Sequence, residues 1–181
     1  AHITAGSFED VDGQATITGS ITTGSGDIEL RYATTVDGSL GSTSGRIRIG
    51  DSARVSGSVK TTSGEVQVDY AATIKGSLTT SNKVTLGGNV VIGGDIKGGS
   101  GDVTVGYGAT LNGETSTTSG KITVDGNVGA ACLRSQSSAS ITLAWATKAS
   151  GVCCGSSCSN KCVTNNTGGA MPPACGSGSV A

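Results

Sequence analysis

The sequence predicts an all-β fold: a single-stacked β-solenoid of about seven to eight rungs, with 19 residues per rung and an irregular, disulfide-rich C-terminal segment. Three observations carry this reading. A Val-x-Gly-x-Val half recurs with its glycine at Gly19, Gly38, Gly57, Gly76, Gly94 and Gly113, every step being 19 residues except one of 18. A second half supplies an alternating apolar pair, Ile28/Leu30, Ile47/Ile49, Val66/Val68, Val84/Leu86, Val103/Val105 and Ile122/Val124, and period 2 belongs to a strand with one buried face. Third, the outward position before each pair reads Asp27, Arg46, Glu65, Lys83, Asp102 and Lys121. These signs alternate at every step, which suits rungs stacked in register at about 4.8 Å and would be wasted on independent hairpins.

Residues 1–14 form an imperfect first coil, a cap or arm in which Ile3, Phe8 and Val11 supply the apolar positions. The solenoid proper spans 15–145. Within each unit Val55-x-Gly57-x-Val59 reads as one alternating strand with the glycine turned inward, so Val55, Ile74, Ile92 and Leu111 should stack in a single interior column. Between the halves lies Ser44-Gly45, Ser63-Gly64 or Ser119-Gly120, replaced once by Ser81-Asn82. Because Asn tolerates a left-handed backbone best after Gly, this column is expected to be a corner with positive φ. A small or apolar residue two before each first aliphatic (Ala15, Thr34, Ala53, Ala72, Val90, Ala109) supplies a third short side. A seventh rung, from about Val128 to Trp145, carries Ala130, Cys132 and Arg134 in the inward column, and Ala149 to Cys153 begins a partial eighth.

Another outward column reads Tyr32, Asp51, Tyr70, Gly88, Tyr107, Gly126 and Trp145, and so gathers four of the five aromatic residues. It either covers one side against solvent or offers a stripe to sugar rings or a neighbouring subunit. Residues 146–181 form a cysteine-rich cap or tail. The six cysteines, Cys132, Cys153, Cys154, Cys158, Cys162 and Cys175, all lie at or beyond Cys132, and five of them fall within this tail. An even set in a Gly/Ser/Asn-rich stretch reads as disulfides in an oxidising compartment, with the pairing left open. Cys132 would anchor the tail inside the solenoid.

Composition bounds the rest. Thirty-one glycines in a chain with five aromatics would suggest disorder if they were aperiodic, but here they fall in columns. The net charge of −1, without a Lys/Arg cluster, argues against nucleic acid and anionic membranes, and no apolar run of about 18 residues could span a bilayer. The sequence begins at Ala1, as a chain does after signal-peptide removal, and with the cysteines this leads us to expect a secreted or cell-surface protein.

An enzyme is not expected and no catalytic residue is assigned. His2 is the only histidine, which excludes Ser-His and Cys-His nucleophiles, and Asp27 of the Asp27/Glu29 pair lies among opposite charges that lower a carboxylate pKa. No metal or cofactor is expected either. Ala1 with His2 makes at best a weak copper site, the cysteine spacing does not suit zinc, and Gly98 to Val103 is a single calcium-like nonapeptide whose Asp102 position is lysine in both flanking rungs. A phosphate loop would need a helix after the glycines. Thr85, Thr104, Thr123 and Thr142 resemble one row of an ice-binding face, but their partner column is charged. Asn165-Asn166-Thr167 is a formal glycosylation acceptor.

With Val-x-Gly-Ser-Val, then Thr-Ser-Gly, then Val-x-Val at a spacing of 19, residues 15–145 resemble the polymer-forming bactofilin repeat. That resemblance implies a three-sided β-helix whose subunits join end to end into nucleotide-free filaments. The chain departs from bactofilins, which are cytoplasmic, in its cysteine-rich tail and expected export. The expected function is therefore a structural subunit of an extracellular filament, a head-to-tail homopolymer joined through Ile3, Phe8 and Val11. The alternative is a monomeric surface adhesin, or a carbohydrate- or ice-binding module with surface glycans as partners.

Overall fold

A computed structural model of the chain describes residues 3–5, 9–11, 14–137, 139–155, 163–166 and 168–170. These residues form parallel strands, mostly of two or three residues, and include no helix. Seven full coils of 19 residues, one shortened to 18, stack between the equivalent corners at Gln14 and Ala146.

Each coil lays one strand on each of three faces. In the coil around Val55 these are Arg54–Val55, Val59–Thr61 and Val66–Val68. The third face is a nine-stranded sheet in which Val66 pairs with Ile47 on one side and Val84 on the other. The first two faces merge into one sheet because the eight-residue strand Thr110–Thr117 runs across the corner between them. Val55, Ile74, Ile92 and Leu111 pair successively and all are buried, so the expected interior column is present. Most of the interior is aliphatic (Ile28, Ile47, Val66, Val84, Val103 and Ile122 fill one column), so each coil buries its apolar side chains against its neighbours.

The corners depart from the sequence reading. The Val55-x-Gly57-x-Val59 half is two strands, and Gly57 sits at the bend between them, half-buried, while Val55 and Val59 both point inward from different faces. A Cβ on Gly57 would lie 2.6 Å from the Gly38 carbonyl oxygen, which is why the position is glycine. The Ser-Gly corner is also sterically dictated: a Cβ on Gly64 would come 1.9 Å from the Gly45 carbonyl oxygen, and one on Gly120 the same distance from that of Gly101. Apart from Gly19 at the Gly57 corner, positive φ within the seven coils falls instead at the remaining corner, at Gln14, Ala33, Ser52, Ala71, Asn89, Gly108 and Asn127, and again at Ala146. There the Ala33 N–H donates to the Asp51 carbonyl, that of Ser52 to Tyr70 and that of Asn89 to Tyr107, at 2.8–2.9 Å.

Inward hydroxyls complete the Ser-Gly corner. The Thr61 hydroxyl accepts from the Gly64 N–H at 3.0 Å and donates to the Gly45 carbonyl of the preceding coil at 3.1 Å. Ser42 and Thr80 repeat the donation to Gly26 and Gly64. These buried Thr and Ser side chains satisfy backbone groups that the turn withdraws from the sheet ladder.

The pattern breaks after Leu111. Leu111 pairs with Ala130, but Glu114 pairs with Cys132, so the later strand has one residue fewer across the corner. Side chains alternate with period 2, so the slip reverses the facing expected from the 19-residue count, while residues paired in register keep the same face. Leu133 and Ser135 are therefore buried, whereas Cys132 and Arg134, expected inward, are half-buried at the surface. Beside the slip the inward column places Thr115, fully buried, between Ile96 and Leu133, and its Oγ1 has no hydrogen-bond partner.

Two outcomes test these assignments by urea or thermal denaturation. Gly64→Ala should destabilise by about 2 kcal/mol or more, since backbone stands where the methyl would go. Ala71→Gly should be neutral or stabilising by up to about 1 kcal/mol, because relief of a left-handed alanine outweighs the added chain entropy. Separately, Thr115→Val should stabilise by about 1–2 kcal/mol through removal of an unsatisfied buried hydroxyl; a loss of stability there would show that the hydroxyl is bonded.

Candidate functional site

The corner with positive φ also carries the aromatic column. Its left-handed residue turns the chain sharply from the third face to the first and projects the preceding side chain outward. Tyr32, Tyr70, Tyr107 and Trp145 are 47–59 % exposed, far more than large apolar side chains elsewhere among the described residues. The residues between them are small or polar, and two of the rings settle on the glycines. A Cβ on Gly88 would meet the Tyr70 ring at 3.4 Å, and one on Gly126 the Trp145 ring at 2.8 Å. Asn89 Nδ2 donates to the Tyr70 hydroxyl at 2.7 Å, which holds that ring toward the next coil. Tyr107 and Trp145 lean together across Gly126, with centroids 5.9 Å apart and planes inclined at 46°. Asp51 Oδ1 accepts the Tyr70 N–H at 2.8 Å, so its carboxylate lies within the stripe.

Carboxylates in register elsewhere serve the backbone. Asp27 accepts from the Arg46 N–H at 2.7 Å and Asp102 from that of Lys121 at 2.8 Å. The alternating column is thus stacked in register, but the contacts of these two acids are to backbone of the next coil. Ser20, Ser39, Ser58 and Ser77 do the same at another corner, each accepting an N–H from the coil above. The close ion pairs of the third face lie one column away. Arg48 bridges Glu29 at 3.0 Å and Asp69 at 2.9 Å, and its guanidinium is held above the usual range by Asp69 first, with Glu29 adding.

A groove of about 550 Å³ crosses the second face, bounded by Lys60, Thr79, Lys97, Glu114, Ser116 and Gln136. Lys97 pairs with Asp95 at 3.6 Å, and Glu114 receives Arg134 Nε at 3.1 Å with the Cys132 sulfur 3.7 Å away. No described cysteine is a free thiol, and Cys153 and Cys154 are buried. Cys158, Cys162 and Cys175 lie outside the described residues, as do His2 and Phe8. Ile3–Ala5 and Glu9–Val11, which include Ile3 and Val11, pair with Ile21–Thr23 and Ile28–Leu30 as an added partial coil. Among the described residues no three His, Cys, Asp or Glu side chains converge as metal ligands.

The model of one protein family, Toastrack DUF4097, matches residues 11–149. The chain belongs to it. The match covers all seven full coils of the Toastrack solenoid and the whole aromatic column. What the bactofilin resemblance and this family assignment share is a β-solenoid repeat. No curated protein and no solved structure matches the chain. Sequence reasoning found the aromatic column because it places one residue per coil. It missed the inward hydroxyls, whose only sequence signal was Thr or Ser three residues before the corner glycine, and the Glu114–Arg134 pair, which the unbroken 19-residue spacing of that coil does not signal.

Proposed function

We propose that this Toastrack chain is a structural subunit that adds end to end into a filament outside the cell. The observation that carries the reading is the all-parallel pairing of successive coils, which leaves a strand edge at both ends of the stack. At one end the outermost described strands are Ile3–Ala5, Glu9–Val11 and Thr16–Thr18; at the other they are Lys148–Cys154 and Val163–Asn165. A second copy stacked in the same direction offers the complementary backbone groups, as each coil already does to the next. The corner acceptors share that polarity, since Asp27, Ser39, Asp51 and Asp102 of one coil all receive an N–H of the following coil. Such a contact is heterologous and extends as a line where the rotation does not close a ring.

On this reading the six cysteines, Cys132, Cys153, Cys154, Cys158, Cys162 and Cys175, are cross-linked and fasten the tail to the last coils, as suits an oxidising compartment. The chain is non-catalytic: the reading is supported by carboxylates committed to backbone N–H groups and by a single histidine at position 2.

Negative-stain microscopy and sedimentation of the purified chain should show filaments that lengthen with concentration. Removal of residues 1–12, or Thr4→Pro in the outermost strand, should leave short species, because proline cannot donate to an added strand. A full-length chain that stays monomeric at all concentrations would end the proposal.

A further inference from the structure

We infer that the aromatic corner is a binding site for a neutral, extended β-1,4-linked glycan of gluco configuration, laid parallel to the solenoid axis. Tyr32, Tyr70, Tyr107 and Trp145 occupy one column on every second coil, so their backbone positions repeat at about 10 Å. An extended β-1,4-linked polysaccharide turns the same face of its pyranose ring outward every second sugar, with a two-sugar repeat of that length. In the gluco configuration the ring C–H groups are axial and give each sugar an apolar face that stacks on an aromatic ring, while its hydroxyls point sideways. The corner supplies both halves of that chemistry. The rings are about half exposed, Tyr70 and Trp145 being backed by Gly88 and Gly126. Polar groups run along their flanks: Asp51 within the column, Asp69 and Asp125 one residue before it, and Asn89 and Asn127 one residue after it.

The occupant is a glycan rather than a protein because the exposed rings form a line one residue wide, with Tyr32, Tyr70 and the Tyr107–Trp145 pair set apart by Asp51 and Gly88, and not one broad apolar patch of the kind a protein partner covers. It is neutral because carboxylates dominate the flanks, and uronate or sulfate groups would meet them at close range. Tyr107 and Trp145 are tilted together over Gly126 with centroids 5.9 Å apart, so a bound chain requires these two rings to part toward the pitch of their backbones. The inference stands apart from end-to-end assembly, since the column runs along the side of the stack and its length grows if subunits add.

Trp145 is the only tryptophan, so its emission reports on the stripe directly. Titration with cellohexaose and with chitohexaose should give a saturable change for at least one, weakening as the oligosaccharide shortens to the disaccharide. Tyr107→Ala should weaken binding about three- to tenfold, and Tyr70→Ala with Tyr107→Ala should weaken it further, while Tyr107→Phe retains it. Affinity electrophoresis in gels containing soluble β-glucan provides a second reading that does not depend on fluorescence, and unchanged thermal melting shows that the variants are folded. The inference is overturned by no emission change and no retardation with any of these glycans, by aromatic variants that bind as well as the parent, or by tighter binding of polygalacturonate. An emission change that depends on protein concentration alone would assign the stripe to a second copy and overturn it as well.

Discussion

Stacking one backbone turn on another at sheet spacing is hardest at the corners, and the three corners solve that problem in three different ways. At the Ser-Gly corner the side chain is removed altogether, and an inward Thr or Ser hydroxyl ties the turn to the coil beneath, as Thr61 ties Gly64 to Gly45. At the Gly57 corner the backbone again packs on backbone, with outward serines accepting N–H groups that the bend has turned out of the ladder. At the aromatic corner the chain keeps its side chains and adopts a left-handed residue instead, even where that residue is alanine. A left-handed alanine costs about 1–2 kcal/mol. The hydrogen bond from its N–H to the next coil and the apolar ladders on either side hold it in place.

The interior was legible in the sequence because it obeys one rule. Aliphatic residues at fixed offsets in a 19-residue period can stack only in columns, and Val55, Ile74, Ile92 and Leu111 do so. The corners were not legible because a bend and a straight strand can share a pattern. Two inward residues separated by three others alternate correctly for a strand, and they also face inward from two adjacent faces. Glycine is equally ambiguous: Gly64 is required because no Cβ fits, whereas Gly108 in the aromatic corner has a positive φ, and composition does not distinguish the two causes. The orientation of Cys132 and Arg134 depended on a one-residue difference at a bend whose position was itself misplaced.

The surface was readable to a similar extent. Asp27 to Lys121 do lie next to one another on successive coils, but a short aspartate at a turn finds an N–H closer than the flexible cation beside it, and a charge-assisted bond to backbone needs no long side chain to be ordered. Glu29, Arg48 and Asp69 form bridges where the strand is straight and side chains project side by side. The aromatic column was visible as a column. Its use of intervening glycines as seats for the rings was not, because that depends on which way each side chain leans.

The missing residue opposite Glu114 has a consequence for how the molecule comes apart. In a stack where each coil touches only the coils above and below, cooperativity passes through successive interfaces, and the weakest one divides the whole. Here one coil bridges a corner with one residue fewer than the coil before it, although paired residues keep the same face, and the interior beside that slip holds the unbonded hydroxyl of Thr115. The coils on the cysteine-bearing side and those on the N-terminal side are thus two blocks meeting at a fault plane. Pulling, heat or amide exchange would part them there before either block had lost its own ladders.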